Sequence, residues 1–432
     1  LTIKRKGDGC NMSEISVAIA GAGLSGLCLA HSLLRAGFDV QIYERDPEPH
    51  IRRQGYRISV DEHGIAALQR CLPPHLFKLF LATASPTDKA SYFRVTNQEL
   101  GEVFRLTFKG DPSGADLRTP RQVDRQTLRA IMLEGLQDRV HYGKEVLRAE
   151  TTSDGATLHF SDGSCIRASL VVGADGVNSV LRKQLLPDCE PDDTSSWGIY
   201  GRSLLFHKGR SLVPRPLETS GVFAIGPSGR GFFFTAMRFG EAPQTAFARL
   251  GVNQAPPIND DYVMWGILLP KEQFPEHQEK LGAEALQRLA QEAVRDFHPV
   301  VQRFVERADV DYTMPVRFRV AKKPDMWPVS RVVFMGDAVH VMPPTGAHGG
   351  NTALRDAALL ADKLEAIAIQ GETLEWAILS YQEGMSKYAF REVEASKTMM
   401  KRFSIKNPLM SWVMLRAIPW MRSFTNKSLT IE

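Results

Sequence analysis

The chain has 432 residues, 43% of them apolar and 24% charged, with a formal net charge of +4 at neutral pH. That length exceeds one ordinary domain and predicts roughly two, and the balance is that of a soluble globular protein with a full-sized core. The small positive charge, with no run of Lys or Arg, argues against a nucleic-acid partner, and no apolar stretch is long enough to predict a transmembrane helix.

Residues 1–11 are polar and lack the apolar centre of a signal peptide, so they are expected to form a disordered extension with Met12 read as the start. Ile15–Ala20 is a short apolar run, Leu24–Arg35 has helical periodicity ended by Gly37, and Val40–Tyr43 is a second strand; together they predict a βαβ unit. Helical spacing then predicts a helix over Val123–Leu136. Short strands follow at Val146–Thr152, Ala156–Phe160 and from Leu170. From Trp197 to Gly266 come β-type runs, including Phe232–Met237 and Tyr262–Ile267, separated by Gly/Pro turns. Helices are predicted over Ala283–Phe297, Asn351–Ile369 and Trp376–Met400. The tail Pro408–Phe424 carries Pro419 and two arginines; it is expected to pack on the body, with a membrane-surface contact as the alternative.

The expected fold class is α/β: a doubly wound GxGxxG domain assembled from discontinuous segments, with an inserted β-sheet substrate domain and C-terminal helices. The expected boundaries are 12–84, 115–185 and 316–375 for the dinucleotide-binding domain, 85–114 and 186–315 for the substrate domain, and 376–432 for the C-terminal helices. Cys10, Cys28, Cys71, Cys165 and Cys189 are odd in number, widely spaced and free of CxxC or Cys/His clustering. Reduced thiols in the cytoplasm are expected from that pattern, and a metal site is not.

Three motifs carry chemistry. In the first, Gly21-Ala-Gly23-Leu-Ser-Gly26 follows a strand and opens a helix. Gly21 suits a tight turn, Gly23 lets a pyrophosphate approach the backbone, and Gly26 lets helix and strand pack closely, while the helix start offers free N–H groups to phosphate. Glu44 closes the second strand, where an acid binds ribose hydroxyls. Glu rather than Arg there leans towards the unphosphorylated adenosine ribose of NAD or FAD. In the second motif, Leu170–Arg182, a strand ends in glycine and acid, and Asp175-Gly176 makes a turn before an expected helix from Val177. The third, Gly336–Asn351, is read as a buried strand ending at Asp337, whose carboxylate suits a diol. A stiff Pro343-Pro344 corner follows, then glycines at 346, 349 and 350 that admit a flat ligand. A helix starting at Asn351 would turn N–H groups towards negative charge.

In this order and spacing, GAGLSG, GADGVNSVLR and GDAVHVMPPTGAHGGN resemble the fingerprints of the single-component FAD-dependent aromatic hydroxylases, the p-hydroxybenzoate hydroxylase-like flavoprotein monooxygenases of group A. The resemblance covers about Ser16 to Leu364 and is weak in the β-rich middle. It implies that Gly21, Gly23, Gly26 and Glu44, with the adjacent Arg45, hold the adenosine and pyrophosphate of FAD. Arg125 would reach FAD near the pyrophosphate, and Asp337 would bind the ribityl chain. Asp175 and Gly176 would serve FAD and NAD(P)H, and Gly349, Gly350 and Asn351 would meet the pyrimidine edge of the flavin. Pro344 would lie beside the ring facing substrate. His340 is read as a structural hydrogen-bonder. His348 stands where p-hydroxybenzoate hydroxylase carries a lysine, which argues against p-hydroxybenzoate as the substrate.

The activity implied is hydroxylation or epoxidation of an electron-rich aromatic or polyketide-like molecule by O2 through a flavin C4a-hydroperoxide, with NADPH or NADH as electron donor. Phe233, Thr235 and Met237 are candidates for one pocket face, with sheet core as the alternative. Arg57 is a candidate for the flavin or substrate, with a surface salt bridge as the alternative. The other functions left open are a flavin reductase, oxidase or halogenase on the same scaffold, and a flavin-binding protein without turnover.

Overall fold

A computed structural model describes residues 14–49, 56–87, 90–111, 113–275, 281–325, 327, 330–403 and 429–430. The expectations for residues 1–11 and for Pro408–Phe424 lie outside the described residues. A five-stranded sheet is built from distant segments in the order Val332–Phe334, Leu170–Gly173, Ser16–Ala20, Asp39–Tyr43, Val140–His141. All its pairings are parallel. Its central strands are apolar on both faces, and Ile19, Val171, Val172 and Val333 are fully buried, as a parallel sheet covered by helices requires. The order in which strands are added changes side at Ser16–Ala20: one crossover leads to Asp39–Tyr43, while Leu170–Gly173 lies on the opposite side. That switch point, where a crevice opens at the strand ends, is where the GAGLSG loop stands.

The second sheet has eight strands, in the order Met314–Val320, Asp192–Leu204, Tyr262–Pro270, Gly231–Met237, Ser220–Ile225, Ala90–Asn97, Glu102–Lys109, Leu429–Thr430. Side chains alternate across it. Phe232, Phe234 and Trp265 are buried against the helices Ala283–Ala293 and Pro299–Glu306, with the Phe234 and Phe304 rings 5.0 Å apart. The indole N–H of Trp265 donates to Ser203 Oγ at 3.1 Å, so the large buried ring leaves no unpaired donor. Phe233, Phe223 and Tyr200 emerge on the other face, towards the first unit. The strand Met314–Val320 runs through the boundary expected between residues 315 and 316.

Several expected elements take a different form. Val123–Leu136 is not one helix. Arg121–Asp124 is a strand paired with Arg57–Val60, and Asp124 caps a helix Arg125–Leu133 by accepting from the Thr127 N–H at 2.7 Å. The carboxylate offers the N-terminal N–H groups a partner that the strand geometry of its own backbone makes available. The helix expected from Val177 begins at Val180, because Ser179 caps it instead. The helix expected to reach Phe297 stops at Ala293. The helix expected from Asn351 begins at His348, after Ala347 turns left-handed at φ 59°. Asp337 does not end a strand: the strand stops at Phe334, Gly336 turns at φ 60°, and Asp337 opens the single helical turn Asp337–His340. Helices at Glu62–Cys71, Pro74–Thr83, Pro243–Arg249 and Pro299–Glu306 were not expected; Asp61 caps the first, and a proline opens each of the others.

Candidate active site

A cavity of about 2520 Å³ lies between the two sheets. That is well beyond the roughly 300–1,000 Å³ of an ordinary small-molecule pocket, and it leaves room for a dinucleotide and a second ligand.

The GAGLSG loop forms one end. Gly21 sits at φ 110° with its N–H on the Tyr43 carbonyl at 2.8 Å, and a Cβ there would come within 2.4 Å of the Ala174 carbonyl oxygen. A Cβ on Gly26 would lie 2.4 Å from the Gly21 carbonyl oxygen. Both positions hold backbone against backbone and neither lines the cavity. Gly23 does line it, and a Cβ there would meet no protein atom within 4 Å. It opens the helix Leu24–Arg35, whose first turn has no side-chain cap and no acid, so its N–H groups are free for an anion. Glu44 is buried; its Oε2 accepts from the Ala22 N–H at 2.8 Å and its Oε1 from the Asp46 N–H at 3.0 Å. Arg129, which sequence reasoning did not find, grips the same loop by donating from Nε to the Ala22 carbonyl at 3.0 Å. Arg45 is exposed and lies off the cavity lining.

Asp175 also lies off the cavity lining. Its Oδ2 accepts from the Val180 N–H at 3.0 Å, its Oδ1 is buried without a partner, and burial pushes its carboxyl pKa up. Its neighbour Gly176, at φ 77°, lines the cavity.

Asp337 and Arg125 both line the cavity, and Asp337 lies in the field of Arg125. Asp337 is open to the cavity interior and crowded by protein elsewhere. Burial drives its pKa up, and the positive field of His340 and Arg125 only partly offsets that. Beneath Asp337 is a fully buried network. Asp356 Oδ2 accepts from the Gly336 N–H at 2.8 Å and meets His340 Nε2 at 2.5 Å, and its Oδ1 accepts from the Tyr388 hydroxyl at 2.6 Å. Burial works against a charged His340, but the Asp356 carboxylate and its hydrogen bond prevail, so the pKa of His340 stands above the ordinary histidine value. Arg355 covers the Tyr388 ring at 3.9 Å.

At the opposite end, Pro344, His348, Gly349, Gly350 and Asn351 all line the cavity. No protein atom approaches a Cβ built on Gly350 within 4 Å. The Asn351 side chain is committed to the protein: Oδ1 accepts from the Asp61 N–H at 3.0 Å, and Nδ2 donates to the carbonyls of Ser59 at 2.9 Å and Ala347 at 3.0 Å. What this turn offers a ligand is therefore backbone N–H, not the carboxamide. His348 Nδ1 is 3.4 Å from Glu392 Oε2 on the last long helix, Leu374–Phe403.

On the eight-stranded sheet Phe233 and Thr235 line the cavity, and Arg57 lines it from the strand Arg57–Val60. Met237 does not. It is fully buried one step further along the same face, against Tyr262 and Met264, and Ser85 Oγ points at its sulfur from 3.6 Å.

Residues 119–396 match a family model described as an FAD binding domain, and residues 19–80 match an NAD(P)-binding Rossmann-like domain. The chain belongs to this FAD-binding family, that of the p-hydroxybenzoate hydroxylase-like flavoprotein monooxygenases. It is 29% identical over 422 residues to a dual O-methyltransferase/FAD-dependent monooxygenase of Cercospora beticola, covering 90% of this chain and 46% of that protein. It is 27% identical over 367 residues to the 6-hydroxynicotinate 3-monooxygenase of Pseudomonas fluorescens, covering 84% and 86%. HpxO of Klebsiella pneumoniae, solved with FAD and uric acid, has the same fold: TM-score 0.75, 19% identity, 96% of each chain. The chain spans less than half the length of the first curated relatives it matches. Among the described residues no helix is long and apolar enough to cross a membrane.

The residues present fit FAD. Gly23 and Gly350 leave spaces that a Cβ would fill, and the intervening wall supplies Asp337 and Arg125.

Proposed function

We propose that this chain is a monooxygenase that uses FAD, NADPH or NADH, and O2 to hydroxylate or epoxidise an electron-rich aromatic or polyketide-like small molecule. The observation that carries the proposal is one continuous cavity. It joins the bare-backbone cradle at Gly23, Asp337 and Gly350 to an aromatic floor of Tyr200, Phe223 and Phe233. The five-stranded sheet with its helices is assigned to FAD and the eight-stranded sheet to substrate. When bound, FAD supplies the redox chemistry, taking two electrons from the nicotinamide donor and passing them to O2, so that one oxygen atom enters substrate and the other leaves as water.

The chain's own residues bind, orient and shield. The free N–H groups after Gly23 take the pyrophosphate, and Asp337 accepts from the ribityl hydroxyls. The N–H groups of the turn at His348–Gly350 face the pyrimidine edge and stabilise negative charge there. Pro344 stands open to the cavity as a wall for the reacting edge, and Phe233 and Thr235 contact substrate. The cytoplasm is the assigned setting, in keeping with free thiols at Cys28, Cys71, Cys165 and Cys189.

The test is anaerobic mixing of the purified FAD-loaded protein with NADPH or NADH and a panel of phenols and polycyclic aromatics. At least one pair should bleach the visible flavin absorbance. If neither donor bleaches it with any panel member, the proposal fails.

Asp337→Asn gives a second expectation. The fold opposes ionisation of Asp337, so its folded pKa lies above the unfolded one. Its ionised form therefore lowers stability at neutral pH, and the penalty disappears as pH falls through the folded pKa. The Asn variant should make the apoprotein more stable in urea at pH 7, while weakening FAD binding. A variant that loses both stability and FAD would contradict this.

A further inference from the structure

Arg57 opens the strand Arg57–Val60 at the edge of the cavity's aromatic floor. Its Nε is buried without an acceptor. Among the described residues no carboxylate pairs with it. The group acting on it most strongly is Tyr262, whose hydroxyl already donates to Asp124 Oδ2 at 2.9 Å. Burial accordingly pushes the guanidinium down to about 10.

The other arginines that line the cavity differ. Arg118 pairs with Asp116 at 3.0 Å, Arg238 with Glu218 at 2.8 Å, and Arg319 and Arg317 share Asp193, the former at 3.3 Å. Arg125 lies in the field of Asp337. Arg402 is exposed at the end of the last long helix. Arg57 is thus the half-buried cavity cation, its Nε enclosed by protein, that lacks a counter-charge among the described residues. Such a cation is unfavourable by itself and becomes favourable when a ligand brings the missing anion.

Two ligands could bring it, the cofactor or the substrate, and the surroundings of Arg57 favour the substrate. Tyr56 next to it meets Tyr200 edge-on at 5.9 Å, and both pack with Phe233 on the cluster of Tyr262 and Met264. Apart from Tyr56, these belong to the eight-stranded sheet, not to the glycine cradle. We propose that Arg57 is the anion-recognising residue of the substrate site, so that the substrate is an aromatic molecule bearing a carboxylate or an ionised phenol or enol. A guanidinium is a planar fork of donors that fits a carboxylate with two parallel hydrogen bonds, and an enolate with one. Phe233 and Tyr200 then offer faces to the aromatic body. This inference rests on the monooxygenase reading of the same cavity.

The test titrates the FAD-loaded protein with benzoate, naphthoate and anthracenecarboxylate and with their neutral carboxamides, following the visible flavin spectrum. For the ring size that binds, the acid should bind about ten- to a hundredfold more tightly than its amide. Arg57→Gln should bring the acid down to the affinity of the amide and leave FAD retention unchanged. Arg57→Lys should recover part of the preference. Equal binding of acid and amide by the unmutated protein would overturn the proposal, and needs no variant that folds. So would an Arg57→Gln protein that loses FAD by the same factor as it loses acid, since the cofactor would then be the partner of the charge. Binding is read without turnover. An Arg57-dependent acid preference in a protein that oxygenates nothing would sink the monooxygenase reading and leave the anion subsite standing.

Discussion

Asp356→Asn is expected to lower the stability of the folded chain by about 3–5 kcal/mol and to release most of its FAD. Asp356 is fully buried, and its two oxygens serve the Gly336 N–H, His340 and the Tyr388 hydroxyl. An asparagine can accept at one oxygen only, and its amide N–H₂ would point a donor at a donor. His340, also fully buried, would lose the carboxylate that holds its charge. The turn carrying Asp337 begins at Gly336, in a left-handed conformation held from below by this carboxylate, so loosening it displaces the Asp337 carboxylate in the cavity wall. The pH dependence has a definite sign. The folded pKa of His340 is raised above its unfolded value, so its contribution is complete below the ordinary histidine range and is lost as pH rises through the folded pKa. Urea unfolding of the unmutated apoprotein should show this alkaline loss, and the Asn variant should lack it. A variant within about 1 kcal/mol of the parent, with the same pH profile, would show that the network does not hold the turn.

Gly23→Ala is expected to separate ligand binding from folding. The backbone at Gly23, φ −78° and ψ 177°, suits alanine, and no protein atom lies within 4 Å of the added Cβ. Apoprotein stability should stay within about 0.5 kcal/mol. The methyl group would occupy the path of the pyrophosphate, and overpacking of roughly 1–3 kcal/mol there corresponds to about a ten- to hundredfold weaker FAD complex. Gly26→Ala should behave differently, because its Cβ would lie 2.4 Å from the Gly21 carbonyl oxygen and force the first strand and helix apart. It should lose apoprotein stability as well as FAD. Urea unfolding without FAD, set beside FAD titration by fluorescence, distinguishes the two variants. If Gly23→Ala destabilises the apoprotein as much as Gly26→Ala does, Gly23 is a packing glycine and the cradle is misplaced.

The glycine loops were legible because their chemistry is local. A strand, a turn and a helix start lie within a dozen residues, and Gly26 answers to the Gly21 carbonyl of the same loop, although the Ala174 carbonyl that crowds Gly21 comes from a distant strand end. The class of fold was legible for the same reason, through the first βαβ unit. Less local features were hidden. Arg129 lies on the polar side of an amphipathic helix, and nothing in its spacing reveals that it reaches the Ala22 carbonyl. Asp356 did carry a signal. It falls on the same helical stripe as Leu360 and Leu364, where an acid is out of place unless paired. Its partners His340 and Tyr388 stand 16 and 32 residues away, so the pairing itself needed the fold. Phe233, Thr235 and Met237 share one strand face, but where the cavity ends along that strand is set by Tyr262, Met264 and Ser85, and that leaves Met237 in the core. Asn351 was legible as a residue of a glycine-rich turn that proves to line the cavity, yet its carboxamide ties that turn to the strand Arg57–Val60 and the helix after it.

The most direct measurement of the central claim is the fate of molecular oxygen. The FAD-loaded protein, supplied with NADPH or NADH, an acidic polycyclic aromatic that stimulates donor oxidation, and ¹⁸O₂, should yield a product with one added oxygen atom carrying the heavy label, one per donor molecule consumed in coupled turnover. Donor oxidation that yields only hydrogen peroxide with every stimulating ligand, or a product whose new oxygen is unlabelled, would contradict the assignment of this cavity to a monooxygenase.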